Sequence, residues 1–477
     1  MSNSVSQNLT RLQNARTAIA NAITSKGGTV GTNDGYEEFV SDIASIPTAT
    51  PTFAFLFVTT DSGTTITVSK GQTTLDPQTS VSGEELCFDI PESGTWTVSG
   101  SNSQTTTISI TTKDAYYIEL FRAHIYGITW DKTNSNPSSS ITRTDDAANF
   151  SDPNPYYANM TTTPSSPFDN LMPWSGMEKV TMDNNVMVRI PKFWYKITNS
   201  DNSLSIQIAD KYVEGFNVSP AHMKKSENGQ DLDYVYVGRY KCNTNYKSTS
   251  GSSPKVSITR ATARSGCKSV GDGYYQLDFA MLWTIRMLYI VEFKNWNCQT
   301  TIGYGCGNGS SVGSTGYTDS MTYHTGTTQG TRATYGLGTQ YRWIEGLWDN
   351  VLEWCDGITF NSSDIYTWKY PSQYSDTYNS TGYIKIGTRH TSSEYITDLS
   401  VPSEAGLDWA MYPKHSSRTG SSSTYLCDYC YFNSSGVVLY VGGSYDRHQN
   451  YGLGCANGNV ASSGSGSVLG VRLLRYP

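Results

Sequence analysis

Charge is scarce in this sequence. Asp, Glu, Lys and Arg make up 16% of 477 residues, against roughly 25% in an average soluble chain. Basic residues are the rarer sign, 34 against 41 acidic, for a net charge of −7. Without clustered cations the chain lacks what phosphate contact needs, which excludes a nucleic-acid binder. Long apolar runs are missing too. Phe53–Val58 and Met281–Val291, the second broken by Thr284 and Arg286, fall short of the roughly 18–20 residues that span a bilayer, so no membrane insertion is predicted. The opening MSNSVSQNLT has neither a charged n-region nor an apolar h-region, and no secretory signal is read there. Nine cysteines, an odd count dispersed from Cys87 to Cys455, do not make the framework of a small secreted domain and read as buried thiols formed in a reducing cytoplasm. Cys427 and Cys430 form a CxxC with no second pair. The six histidines show no HxH or HExxH spacing, so no metal ligand is assigned and no cofactor is expected. Calcium stays open, because no dense Asp/Asn loop commits the chain to it. The Gly-rich IGYGCGNGS (302–310) is followed by no GKS/T, which removes a phosphate loop.

What is abundant is tyrosine, 34 residues, with 43 glycines. Tyr, Ser, Gly and Asn are the composition of β-rich binding surfaces. Hydrophobic content of 37% suffices for packed cores, and the length predicts two to four domains. The fold class expected is α+β, β-rich. Residues 1–48 form a helical segment: Val5, Leu9, Leu12, Arg16, Ile19 and Ile23 keep the 4-3-4 spacing of a short coiled coil, Gly27-Gly28 ends it, and a second helix runs Tyr36–Ser45. The pattern fits either an amphipathic helix on a neighbour or an oligomerising stalk, with Ile content compatible with a trimer. Residues 49–120 hold short β-branched and aromatic runs (TFAFLFVTT, TTITVSK, ELCFDI, GTWTVSG, TTTISITT) between turn signals, the punctuation of a small β-sandwich. Its GTWTV segment resembles a strand of immunoglobulin-like and prealbumin-like modules. Residues 121–477 are polar, aromatic and loop-rich. Asp278–Phe293 predicts a helix buried all round, Ile344–Trp354 predicts a shorter one, and the rest from 295 onward reads as irregular.

Three stretches of the third region belong together. Gly346–Trp354 (GLWDNVLEW) resembles the GNVWEW signature of the formylglycine-generating-enzyme-like branch of the C-type lectin fold, Gly442–Tyr445 (GGSY) its GGSW/GGSY strand, and Leu469–Leu473 (LGVRL) its terminal (I/L)GFR strand. IYGITWD (125–131), SPFDNLMPWSGM (166–177), RIPKFWYKI (189–197), IGYGCGN (302–308) and YTDSMTYHTGTTQ (317–329) resemble proteins of phages and prophages of gut Firmicutes, whose C-terminus is similar to the variable protein of a diversity-generating retroelement. LQNARTAIANAITSKGG near the start resembles a phrase of phage tail proteins. The resemblance implies a C-type-lectin-like ligand-binding domain over 121–477. Its fold signature would be Trp348, Asn350, Glu353, Trp354, Gly442, Gly443, Gly470 and Arg472, with the tryptophans in the core and the acids paired locally. A variable region would span about 427–475.

The same resemblance implies a function: a tail receptor-binding protein, at the virion tail tip, whose hypervariable surface binds a bacterial cell-surface protein or glycan. It would assemble with other tail proteins, as a homotrimer. The ligand-binding positions are then Tyr445, Asp446, Arg447, His448, Asn450, Tyr451, Cys455, Asn457, Asn459, Ser463, Ser465 and Ser467, with Tyr431, Phe432, Val438 and Tyr440 as a rim. Tyr445–Ser467 contains no Lys, Glu, Met or Trp, residues that adenine-directed mutagenesis of AAY codons cannot produce; Gln449 departs from the rule. Tyr445, Arg447 and Tyr451 are the expected anchors, since aromatic and Arg side chains dominate interface energy. An oxidase of the same fold uses two cysteines in this stretch, but those positions are Arg447 and Gly452 here. Without a thiol there is no nucleophile or metal thiolate, and no catalytic residue is assigned. A ligandless structural tail protein is the remaining alternative.

Overall fold

A computed structural model describes residues 5–26, 30–31, 53–81, 85–102, 104–336, 338–380 and 382–477, with side chains from Leu12 onward. The helix expected over Tyr36–Ser45 and the glycine stop at 27–28 lie outside the described residues. The chain is β-rich with few helices and divides into two compact units, Met1–Ala123 and His124–Pro477.

In the first unit, helix α1 (Val5–Ser25) precedes two sheets. Ala54–Thr60 lies between Leu86–Ile90, antiparallel, and Ala115–Leu120, parallel. The second sheet runs Thr73–Thr74, Thr65–Lys70, Gly94–Gly100, Thr105–Ile110. Alternation decides the facing: Ile66 and Val68, Trp96 and Val98 point inward and meet Leu56, Val58 and Phe88 of the first sheet in one apolar core. The opposite face of the first sheet offers Phe57 and Cys87, against which α1 lays Ala15, Ala18 and Ile19, leaving Leu12 exposed.

The second unit is built around α3 (Phe279–Phe293), which follows a shorter helix, α2 (Arg260–Lys268). Every residue of α3 is buried, as a helix apolar on all sides requires. Asp278 caps it by accepting from the Met281 amide at 2.8 Å, and Lys294 ends it in the left-handed region at φ +51°. One antiparallel sheet orders Ile141–Asp145, Ile125–Asp131, Ser203–Ala209, Trp194–Asn199, Asn217–Val218. Another orders Glu178–Met182, Asn185–Pro191, Tyr234–Lys241, Arg472–Arg475, Tyr274–Gln276. The largest runs Ile384–Thr388, Asp364–Thr367, Leu352–Phe360, Val438–Val441, Ala456–Val460, Tyr429–Phe432, Glu394–Tyr395, and Leu469–Gly470 pairs in parallel with Leu352–Phe360.

Two expectations need correction. Ile344–Trp354 is not a helix. Ile344–Glu345 is a short strand, Gly346 and Asn350 take φ of +66° and +67°, and Leu352 opens a nine-residue strand. Two left-handed residues four apart cannot be carried by a helix. Nor is the chain from 295 onward irregular, since it supplies the whole eight-stranded sheet.

Candidate functional site

The three motifs meet. Strand Leu352–Phe360 receives Val438–Val441 antiparallel on one side (Glu353 opposite Val441) and Leu469–Gly470 on the other (Glu353 opposite Gly470). Glu353 is fully buried at this junction. Arg472 donates to it from Nε at 3.0 Å to each carboxylate oxygen and from Nη2 at 2.7 Å, and Lys241 adds a bond at 2.8 Å. Burial opposes ionisation, but Arg472 and Lys241 outweigh it and hold the Glu353 carboxyl below its ordinary range. The remaining Arg472 protons go to the carbonyls of Gly238, Arg239 and Glu345. Trp348 donates to the Gly303 carbonyl at 3.0 Å and Trp354 to that of Ile258 at 2.8 Å, both rings buried. At Gly443 the backbone passes so close to the Trp348 carbonyl that any Cβ would collide with it. Asn350 exchanges side-chain bonds with Gly313 at 2.8 and 2.9 Å, and its carbonyl accepts from the Tyr445 amide at 2.9 Å. All eight signature positions, Trp348, Asn350, Glu353, Trp354, Gly442, Gly443, Gly470 and Arg472, are buried.

Beyond this anchor the chain surfaces, dives and surfaces again. Asp446, Arg447 and His448 are exposed, and Tyr445 and Asn450 are half-buried. Gly307 and Gly309 support this segment: the His448 amide donates to the Gly307 carbonyl (2.7 Å), and the Gly309 amide to the Tyr445 carbonyl (2.6 Å). Asn459 is half-buried and Ser463, Ser465 and Ser467 are exposed.

The middle of the stretch corrects the expected site. Tyr451 is 3% exposed, and Cys455 and Asn457 are fully buried. Arg286 of α3 reaches the loop from below, donating to the carbonyls of Leu453 (2.9 Å) and Cys455 (3.0 Å). Asp428, also buried, accepts from the Gly454 amide at 2.7 Å. Asn457 spends its amide inside, accepting from the Tyr431 amide and donating to the Cys455 thiol. Tyr451, Cys455 and Asn457 are therefore framework. Of the expected rim, Phe432, Val438 and Tyr440 are buried in the sheet, and only Tyr431 reaches the surface.

Half-buried tyrosines that the motif reading passed over border the exposed segment. Tyr335 meets His448 edge-on at 5.7 Å and Tyr304 at 4.9 Å. On the other side Tyr395, Tyr429 and Tyr431 form a chain of ring contacts at 5.0 and 4.7 Å. Tyr395 joins that chain to the segment by donating to Asn450 Oδ1 at 2.7 Å. Burial nudges the Tyr335, Tyr395 and Tyr429 hydroxyls upward, so all three stay protonated donors. The only sequence signal for this grouping was the surplus of tyrosine.

No protein-family model matches this chain, and no curated protein matches it. The site therefore rests on its own geometry. All nine cysteines are free and buried. Cys455 has its thiol pushed up by burial, and Cys427 and Cys430 are each raised to about 12 by burial, the opposite of an activated nucleophile. The CxxC thiols instead donate to the carbonyls of Tyr425 and Glu394. Among the described residues one group has metal-ligand geometry: His390, Glu394 and His415, whose ligand atoms lie within 4.8 Å of one another. Sequence spacing did not reveal it, because His415 arrives from a separate strand pair.

Proposed function

We propose that this protein is a phage tail receptor-binding protein whose C-terminal region has a C-type-lectin-like fold and whose outer surface, diversified by a retroelement, grips a bacterial surface protein or glycan. The observation that carries the reading is the division of labour between anchor and stretch. The family-like motifs converge on one buried ion pair, while the residues between them present Asn459–Ser467 and Tyr445–Asn450 outside, the latter bordered by a band of tyrosines. Exposed positions off a packed framework change stability by only about 0.5 kcal/mol each, so such a face can be rewritten while the scaffold stays folded. Tyr445 and Arg447 are the anchors; Asp446, His448, Asn450, Asn459, Ser463, Ser465 and Ser467 supply adaptable hydrogen bonds. The tyrosines 335, 395, 429 and 431 give rigid aromatic area at low entropy cost.

The N-terminal helix attaches or trimerises the protein, and the immunoglobulin-like module is a spacer. Three copies at the virion tail tip would turn weak single contacts into firm attachment, a gain of roughly 10²–10⁴. The oxidase alternative needs a reactive thiol, and the cysteine of this stretch, Cys455, is buried with its thiol raised.

The test is binding of the purified full chain to a panel of bacterial strains. Attachment to some strains, lost in the Tyr445→Ala, Arg447→Ala double variant at unchanged stability, supports the reading. Attachment to none favours a ligandless structural tail protein. A template repeat downstream of the gene, differing only at adenines, would establish the diversification.

A further inference from the structure

We infer that His390, Glu394 and His415 form a binding site for a divalent transition-metal ion of the zinc class. The site lies at the end of the strand that carries Tyr395, and the inference stands independently of the receptor reading.

The donor set comes first. Two imidazoles and one carboxylate are a composition that suits zinc, and three protein ligands leave a fourth position open. Glu394 Oε1 lies 3.1 Å from His390 Nε2 and 3.1 Å from His415 Nδ1. Metal–nitrogen and metal–oxygen bonds of about 2.0–2.2 Å place neighbouring ligands of a tetrahedron about 3.3–3.5 Å apart. Both measured edges are within a few tenths of that.

A second observation points to a ligand. His390 is only 4% exposed, and its Nε2 is a buried atom with no hydrogen-bond partner, although the Glu394 carboxylate is close to it. A buried ring nitrogen left without a well-aligned partner is costly, and a bound ion would supply that partner. Metal on Nε2 moves the ring proton to Nδ1, where the Ser392 amide now donates over a long 3.3 Å. Thr391, Ser392 and Ser393 are exposed, so that amide can turn to water.

The surroundings hold the ligands in place. The His390 ring is stacked at 6.0 Å on Phe432. Glu394 sits in the ladder opposite Cys430, whose thiol is committed to the Glu394 carbonyl. His415 follows the strand Tyr412–Pro413, which pairs with Leu399–Ser400. At 65% side-chain exposure, His415 faces outward and leaves the fourth position to water or to a ligand atom from outside. The ion would clasp the turn before Tyr395 to the segment after Pro413 and so stiffen one edge of the tyrosine band.

The test uses the full chain, stripped with chelator and titrated with Co²⁺ and then Zn²⁺. The expected result is one ion per chain, the visible absorption of tetrahedral Co²⁺, no thiolate charge-transfer band, and displacement by Zn²⁺. His415→Ala and Glu394→Gln, both at exposed or half-buried positions, should each weaken binding by about tenfold or more with unchanged circular dichroism. No binding by the wild-type chain, equal binding by both variants, or a thiolate band would overturn the assignment.

Discussion

Tyr451→Ala and the pair Asp446→Ser, Arg447→Ser lie within a few residues of each other, yet they should behave oppositely. Tyr451 is 3% exposed, its Cβ side packs on Gly443, and its ring meets Tyr431 at 6.0 Å. Removing a buried aromatic ring costs about 3–5 kcal/mol through lost transfer energy and the cavity left behind. Asp446 and Arg447 are exposed; their mutual contact is a loose 3.7 Å, and Asp446 also accepts from the Ser444 hydroxyl. Surface changes of this kind stay within about 0.5 kcal/mol. Urea unfolding followed by tryptophan emission is a suitable assay, because of eleven tryptophans only Trp96 lies outside the larger unit. A large drop in midpoint for Tyr451→Ala beside an unmoved double variant is the expected pattern. Equal shifts in both would refute the separation of framework from presented face on which the functional proposal depends.

Other consequences can be checked in the same way. Glu353→Gln strands Arg472 and Lys241 in the interior and should destabilise the larger unit by about 3–5 kcal/mol in urea titrations; a loss under about 1 kcal/mol would mean that the ion pair does not hold the motifs together. Asp428 is a buried acid raised from 3.8 to about 7 by burial. The folded state therefore holds its proton more tightly, and the stability tied to it is full at low pH and declines as pH rises towards 7. Asp428→Asn should thus gain about 2–3 kcal/mol relative to wild type between about pH 5 and about pH 8, and a pH-independent difference would contradict the assignment. With all nine thiols buried, a thiol reagent should label the native chain slowly and the urea-unfolded chain at all nine sites; rapid native labelling of Cys455 would reopen the enzymatic alternative.

Much of the architecture was legible in the residues. The segment Phe279–Phe293, apolar nearly all round, announced a buried helix, and alternation with turn punctuation announced the strands of the first unit. What stayed hidden has physical causes. Leu352–Phe360 is buried at all nine positions, so it shows no alternation, and its approach through GLWDN imitates helical spacing. The short α2 is mostly polar and is signalled only by Thr259, whose side chain caps it. The burial of Tyr451–Gly458 could not be read because the cause lies elsewhere: Arg286 and Asp428 reach in from distant parts of the chain. Tyr, Cys and Asn serve equally well inside and out. His390 and Glu394 meet His415 only through two separate strand pairings, which no local spacing records.

The dive of the chain between Tyr451 and Gly458 has one more implication. It partitions the outer stretch into two islands, Tyr445–Asn450 and Asn459–Ser467, moored to a common keel by Arg286 and Asp428. Side chains on either island can change without altering the gap between them. Any partner that touched both would be measured against a fixed span, set by the buried loop and not by the side chains on either shore.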